Sequence, residues 1–193
     1  KEIFEEVTKL GGKCILTKKD HKTGTDRIFE AYEELRDDSI EYVINLQGDE
    51  PMLDIEDVTN LLKKTIKKKS KISTLACQIE DKNFFVNKNI VKVTTKEELN
   101  QNNLSVASSF TREIKNTQKN IYHHIGIYIY NVSYLEKFVQ LEQTQNEKSQ
   151  KLEQLRLMDN NIDIDVGLAK NKPIGVDTTE DYLEIKKIME YKN

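Results

Sequence analysis

The sequence predicts an α/β fold in which a largely parallel sheet carries helices on both faces. Two observations lead to that expectation. Short apolar runs, Tyr42 to Leu46 and Ile72 to Ile79, alternate with amphipathic stretches of helical period. The run Tyr42-Val43-Ile44-Asn45-Leu46 also leads straight into Gln47-Gly48-Asp49-Glu50-Pro51, which puts a carboxylate at the carboxyl edge of a sheet, where open α/β folds place ligands.

Each element follows from the local pattern. Lys1 to Leu10 reads as a helix with Ile3, Phe4, Val7 and Leu10 on one face, stopped by Gly11-Gly12. A strand over Lys13 to Thr17, a polar loop over Lys18 to Thr25 and a helix over Asp26 to Leu35 follow. Next come the strand leading to Asp49, a helix from about Ile55 to Lys68 and a buried strand over Ile72 to Ile79. After Glu80 the connections lengthen and become rich in Asn and Gln. Val91 to Thr95, Ser105 to Phe110 and Ile125 to Tyr130 read as strands, Ser133 to Leu141 and Glu147 to Asp159 as helices. Ile162 to Ala169 reads as a strand, and the chain closes on a helix to Glu190. This divides the chain into a core (1–79), an inserted antiparallel region (80–160) and a return to the core (161–193). An α/β domain rarely opens on a helix with no strand to feed it, so further sequence is expected upstream of Lys1.

Composition narrows the function classes. The 193 residues are 33% charged with a formal net charge of -3, as in a soluble, slightly acidic protein. The lysine cluster from Lys63 to Lys71 lies on an amphipathic helix and reads as a solvated face, so no nucleic-acid partner is expected. Cys14 and Cys77 sit in apolar runs, which suits free thiols in a reducing cytoplasm. No apolar run reaches the ~20 residues that span a bilayer, and no signal peptide is present.

Three further clusters carry chemistry. In His21-Lys22-Thr23-Gly24-Thr25-Asp26-Arg27, Thr25 or Asp26 can cap a helix and Gly24 frees backbone N–H groups for a polar ligand. Arg27 stands in the first turn, where the helix dipole disfavours it unless an anion or carboxylate is near. In Gly175-Val176-Asp177-Thr178-Thr179-Glu180-Asp181, Asp177 and Glu180 have the spacing of a capping box. Asp177 also follows an apolar run and a Gly, as Asp49 does, so the two could meet around one hard cation. The third cluster is Tyr122-His123-His124-Ile125-Gly126-Ile127-Tyr128 with Glu153-Gln154-Leu155-Arg156 downstream. Adjacent histidines on a strand alternate faces, so one of them would point at any given site. Glu153 and Arg156, three apart on a helix, could simply pair with each other.

In order, these motifs resemble those of the cytidylyltransferases that activate the acidic sugar Kdo, the CMP-Kdo synthetase family. The likeness rests on His21 to Arg27, Asn45 to Pro51, Ser73-Thr74-Leu75-Ala76, Asn89-Ile90-Val91-Lys92-Val93, His123 to Tyr128, Leu152 to Arg156 and Gly175 to Thr178. It implies a Rossmann-like nucleotidyltransferase fold, a three-layer α/β/α sandwich whose inserted region binds sugar and forms a homodimer. It also implies transfer of CMP from CTP to Kdo with release of pyrophosphate, assisted by Mg²⁺, in the cytoplasm and toward lipopolysaccharide. By resemblance Asp49 and Asp177 are metal ligands and catalytic. Thr23, Gly24, Thr25, Arg27 and Gln47 face the nucleotide, and Arg112, His124, Tyr128, Glu153 and Gln154 face the sugar acid.

Two departures from the family pattern matter. The family opens with a strand and a loop of the type Arg-x-x-Ser-x-Arg-Leu-Pro-Gly-Lys-Pro, which holds the triphosphate and has no counterpart here. A first βαβ segment of at least ~30 residues is therefore expected upstream, and this stretch by itself is expected to show negligible turnover. Ser109-Phe110-Thr111-Arg112-Glu113-Ile114-Lys115 also matches the family's Phe-Ser-Arg-x-x-Ile-Pro one residue short, with Lys115 for Pro. Two alternatives remain at this level: the same chemistry on a sialic-type sugar acid, and a non-catalytic dimerising module.

Overall fold

The computed structural model describes residues 2–79, 85–114, 119–173, 175–176 and 178–190. The segment read as an opening helix is α1 (Glu2–Lys9), closed by Gly11 at φ 80° with Gly11 and Gly12 N–H groups bonded back to Thr8 and Val7 carbonyls. None of its residues is buried. The predicted strand over Lys13 to Thr17 does not form: the segment joins no ladder. A strand exists only by sharing hydrogen bonds with a neighbour, which the apolar pattern of five residues cannot supply.

Beyond it the elements are α2 (Gly24–Leu35), β1 (Tyr42–Asn45), α3 (Ile55–Lys68), β2 (Ile72–Cys77), β3 (Lys92–Thr95), β4 (Leu104–Thr111) and β5 (Ile121–Asn131). Then come α4 (Val132–Gln140), α5 (Gln145–Gln150), α6 (Leu155–Asp159), β6 (Asp165–Leu168) and α7 (Thr179–Glu190). The six-stranded sheet has the order β1-β5-β2-β6-β4-β3. Strands β1, β2 and β6 run the same way, as expected, but β5 lies antiparallel between β1 and β2. Residues 121–131, read from sequence as part of an outlying region, thus form an inner strand of the sheet. The reason is visible in β5 itself, which is apolar on both faces. Tyr122, Tyr128 and Tyr130 enter one core with Leu135 and Phe138 of α4, while Ile125, Ile127 and Ile129 enter the other with Val58 and Leu61 of α3. Two cores on two sides of one sheet make the three-layer α/β/α arrangement.

Strand β5 also serves two partners along one edge. Its last four residues pair with β1 and its first three with β3, so the carboxyl ends of β1, β2 and β6 open beside the start of β5. The helix expected over Glu147 to Asp159 is broken. A Thr144–Glu147 capping box starts α5, Lys151 turns left-handed at φ 54°, and α6 starts afresh at Leu155. That break leaves Glu153 and Gln154 on the turn between helices.

Candidate active site

The strand tip after β1 folds as a turn in which the Glu50 N–H donates to the Gln47 carbonyl at 3.2 Å. Among the described residues Gly11 is the glycine with positive φ, so this turn closes without a left-handed backbone at Gly48. The turn exposes Asp49, and the returning chain packs on it: the Val176 N–H donates to the Asp49 carbonyl at 2.8 Å. A β-carbon on Gly175 would lie 3.4 Å from that same oxygen, an ordinary contact, so the packing here does not itself demand glycine. Asp177 lies outside the described residues, as does Lys115. The cap of α7 is made by Thr178 and Asp181, whose N–H groups bond each other's side chains at 2.8 and 3.2 Å. The box is thus displaced by one residue from the expected Asp177–Glu180 pair, because a Thr with an acid three residues on is the better match to it.

A cleft of about 550 Å³ opens at this edge. Of the residues singled out from sequence, it brings together Gln47, Asp49, Arg112 and His124. Gly126 lines it too, and a β-carbon there would sit 3.3 Å from the Gln47 amide nitrogen, so glycine gives that amide its place against β5. Glu50, Asn89, His123 and Asp181, quoted within motifs but given no role, line it as well, and Asn87 and Lys172 were not singled out at all. The two adjacent histidines both line the cleft because it wraps round the end of the sheet, where β3 replaces β1 beside β5. The acidic wall offers oxygen donors of the kind Mg²⁺ takes. Among the described residues no group of three or more His, Cys, Asp and Glu is placed to hold a metal.

His124 is buried in the wall of the cleft. Its Nε2 lies 3.0 Å from the Thr74 hydroxyl, which is 2.6 Å from the Ile127 carbonyl. The hydroxyl has one proton and the carbonyl needs it, so Nε2–H donates to Thr74 and Nδ1 is left as an acceptor. Thr74 reaches both because β2 and β5 slip register between Thr74 and Leu75. Burial, then the neighbouring His123, lowers the His124 pKa to about 3. Burial, then Lys172 and Lys92, lowers that of His123 to about 4. Both rings are neutral near pH 7. Because an unfolded histidine titrates near 6.5, the unfolded chain binds protons that the fold rejects between about pH 6.5 and 4. Stability is therefore expected to fall with pH across that window, by about 1.4 kcal/mol per unit for each histidine. Urea denaturation at pH 7 and 5 measures it, and a His124→Gln variant should show the shallower slope; equal slopes would reject the assignment.

The remaining predicted residues form a second cluster beside the cleft. The Thr25 hydroxyl donates to Glu153 at 2.9 Å and meets the Tyr130 phenol at 3.2 Å. The Tyr130 ring stacks on Tyr128 at 5.7 Å, and Tyr128 lies 5.6 Å from the His124 ring, so side chains in contact run from Glu153 to the cleft. Burial pushes both phenols up. The Tyr128 hydroxyl is buried with no hydrogen-bond partner among the described residues, which leaves a polar group with an unmet demand. Thr23 caps α2 and lines a neighbouring pocket of about 420 Å³ with Glu153. Gly24 opens α2, and Gln154 is buried at the start of α6.

One expectation about a cation is corrected. Glu153 and Arg156 do not pair with each other: Arg156, fully buried, grips Glu147 through Nε and a terminal nitrogen at 2.9 and 2.6 Å, and lies 3.7 Å from Asp26. The helix break between α5 and α6 turns Glu153 to Thr25 instead. Among the described residues Arg27 pairs with no carboxylate; it donates to the Thr17 hydroxyl and, at 2.9 Å, to the Lys18 carbonyl, outside the cleft.

Comparison with known proteins follows the same lines. A family model described as cytidylyltransferase matches residues 1–164. A 3-deoxy-manno-octulosonate cytidylyltransferase of Thermodesulfovibrio yellowstonii is 41% identical, covering 93% of this chain and 74% of its own length. One of Bartonella henselae is 38% identical, covering 97% of this chain and 77% of its own. Among solved structures, a CMP:2-keto-3-deoxy-manno-octonic acid synthetase complexed with CTP matches all of this chain and 78% of its own, with TM-score 0.86 and 31% identity. A 4-diphosphocytidyl-2C-methyl-D-erythritol synthase from Anaerococcus prevotii, at TM-score 0.59 and 16% identity, shares the fold alone. With the fold, the ordered motifs and the matched residues in agreement, the chain belongs to the cytidylyltransferase family.

Proposed function

We propose that this protein transfers CMP from CTP to Kdo, giving CMP-Kdo and pyrophosphate. The observation that carries the reading is the convergence of separate family motifs, through Gln47, Asp49, Arg112 and His124, on one cleft at the carboxyl edge of the sheet. In the reaction the anomeric hydroxyl oxygen of Kdo bonds to the α-phosphorus of CTP, the bond to the β-phosphate oxygen breaks, and the hydroxyl proton is lost. Asp49, with Asp177, would hold Mg²⁺, which when bound offsets phosphate charge. Gln47 offers an amide to the nucleotide, while Arg112 adds positive charge for the sugar carboxylate. Neutral His124 accepts a sugar hydroxyl at Nδ1, and the Tyr128 phenol gains from substrate the partner it lacks among the described residues. Thr25 and Glu153 support that end through Tyr130.

The reading is tested by pyrophosphate release from CTP, Kdo and Mg²⁺, assayed on this chain together with any residues its gene encodes before Lys1. Release that depends on Kdo is expected, and preference for a sialic-type acid in direct competition would redirect the substrate assignment. The resemblance also carries a homodimer, which light scattering measures. Among the described residues no helix is long and apolar enough to cross a membrane, and the family reading places the reaction in the cytoplasm.

A further inference from the structure

Lys92 lies on β3 with its side chain entirely buried, at 0% exposure. Its ammonium donates to two backbone carbonyls, of Asn87 and, at 2.9 Å, of Arg112. Among the described residues no carboxylate lies in ion-pair range of it, and the acid that acts on it from further off, Glu113, is paired with Lys88. Burial, then the Arg112 charge, holds its pKa below the ordinary lysine value. The Arg112 guanidinium beside it is likewise spent on carbonyls, those of Gln150, Lys88 and Asn89, at 3.2, 3.1 and 3.4 Å.

Burying an ammonium without a counter-ion is costly, and an apolar side chain of the same length would fill the space more cheaply. The two residues whose carbonyls Lys92 holds, Asn87 and Arg112, are both walls of the cleft. Lys92 therefore fixes the position of Arg112 from behind and leaves a second uncancelled positive charge at that corner. We propose that Lys92 is a positioning and specificity-determining residue, whose buried charge makes this end of the cleft select a ligand carrying a carboxylate. The inference rests on the reading that the cleft receives Kdo, and it adds a residue that touches no substrate.

The test compares affinity for Kdo and for its uncharged C1 methyl ester by calorimetry, on this chain together with any residues its gene encodes before Lys1, in the native protein, Lys92→Met and Lys92→Arg. Lys92→Met is expected to lower the preference for acid over ester by about tenfold, through weaker acid binding, with ester affinity held within about twofold. Lys92→Arg, which keeps the charge, should retain most of the preference. If Lys92→Met melts below the assay temperature, Lys92→Gln replaces it and the same ratio is read. Equal weakening of acid and ester, or an unchanged ratio, overturns the inference while leaving the substrate reading in place. Failure of the native chain to bind Kdo would sink both.

Discussion

Replacing Arg156 with Met is expected to destabilise the fold by about 3–5 kcal/mol, the cost of stranding a buried partner charge. Arg156 is 1% exposed and its partner Glu147 is buried, so water cannot take over the interaction. The guanidinium also rests over the Phe138 ring at 4.1 Å and joins Asp26 of α2 to α5. Burial alone would raise the Glu147 carboxyl, but the Arg156 and Gln143 hydrogen bonds hold it below its ordinary value. A depressed carboxylate contributes stability above its unfolded pKa, about 4.3, that is lost as pH falls through the lower folded value. The native chain should therefore lose this contribution as pH falls below about 4.3, whereas Arg156→Met lacks it at every pH. Urea denaturation at pH 7 measures the loss. Adding Glu147→Gln to Arg156→Met should recover part of it, since Gln can keep the capping box without the stranded charge. A single variant within about 1 kcal/mol of the native chain would mean that the pair is not buried in solution.

The Asp49→Asn variant should behave in the opposite way. It is expected to lose about 10²–10³-fold in turnover while melting within a few degrees of the native protein. The side chain is exposed, and the fold uses this residue through its backbone carbonyl, which accepts the Val176 N–H. Exchanging a carboxylate for an amide keeps the shape and removes the charge that a hard cation requires. Pyrophosphate release at saturating CTP, set beside a thermal melt, separates the two effects. Retention of more than about a third of native turnover would remove Asp49 from the proposed metal site, because a lost charge contact in a phosphoryl-transfer site costs far more than that.

The two variants divide along the line between what was legible in the chain and what was not. Asp49 could be singled out because a buried run followed by Gly-Asp locates a carboxylate by local pattern alone. Helix α3, expected from about Ile55 to Lys68, forms over those residues because its apolar period is a local signal. The partner of Arg156 was not. Glu153 stood three residues away, yet the guanidinium closes on Glu147, because an αL residue at Lys151 breaks the helix between them. Lys92 was quoted only as part of a motif, and nothing in a Val-Lys-Val pattern shows that the lysine is buried behind a cleft.

By itself, then, the sequence determined that the class is α/β, where most helices and strands form, and which motifs are candidates for the site, because periodicity, caps and short spacings act within a few residues. Only the tertiary structure decided that β5 lies between β1 and β2, that residues 13–17 join no strand ladder among the described residues, and that Thr25 meets Glu153 across 128 positions. Such pairings are set by which apolar faces find each other and by the cost of closing long loops. No local pattern encodes those terms, and they are what assemble separate motifs into one cleft.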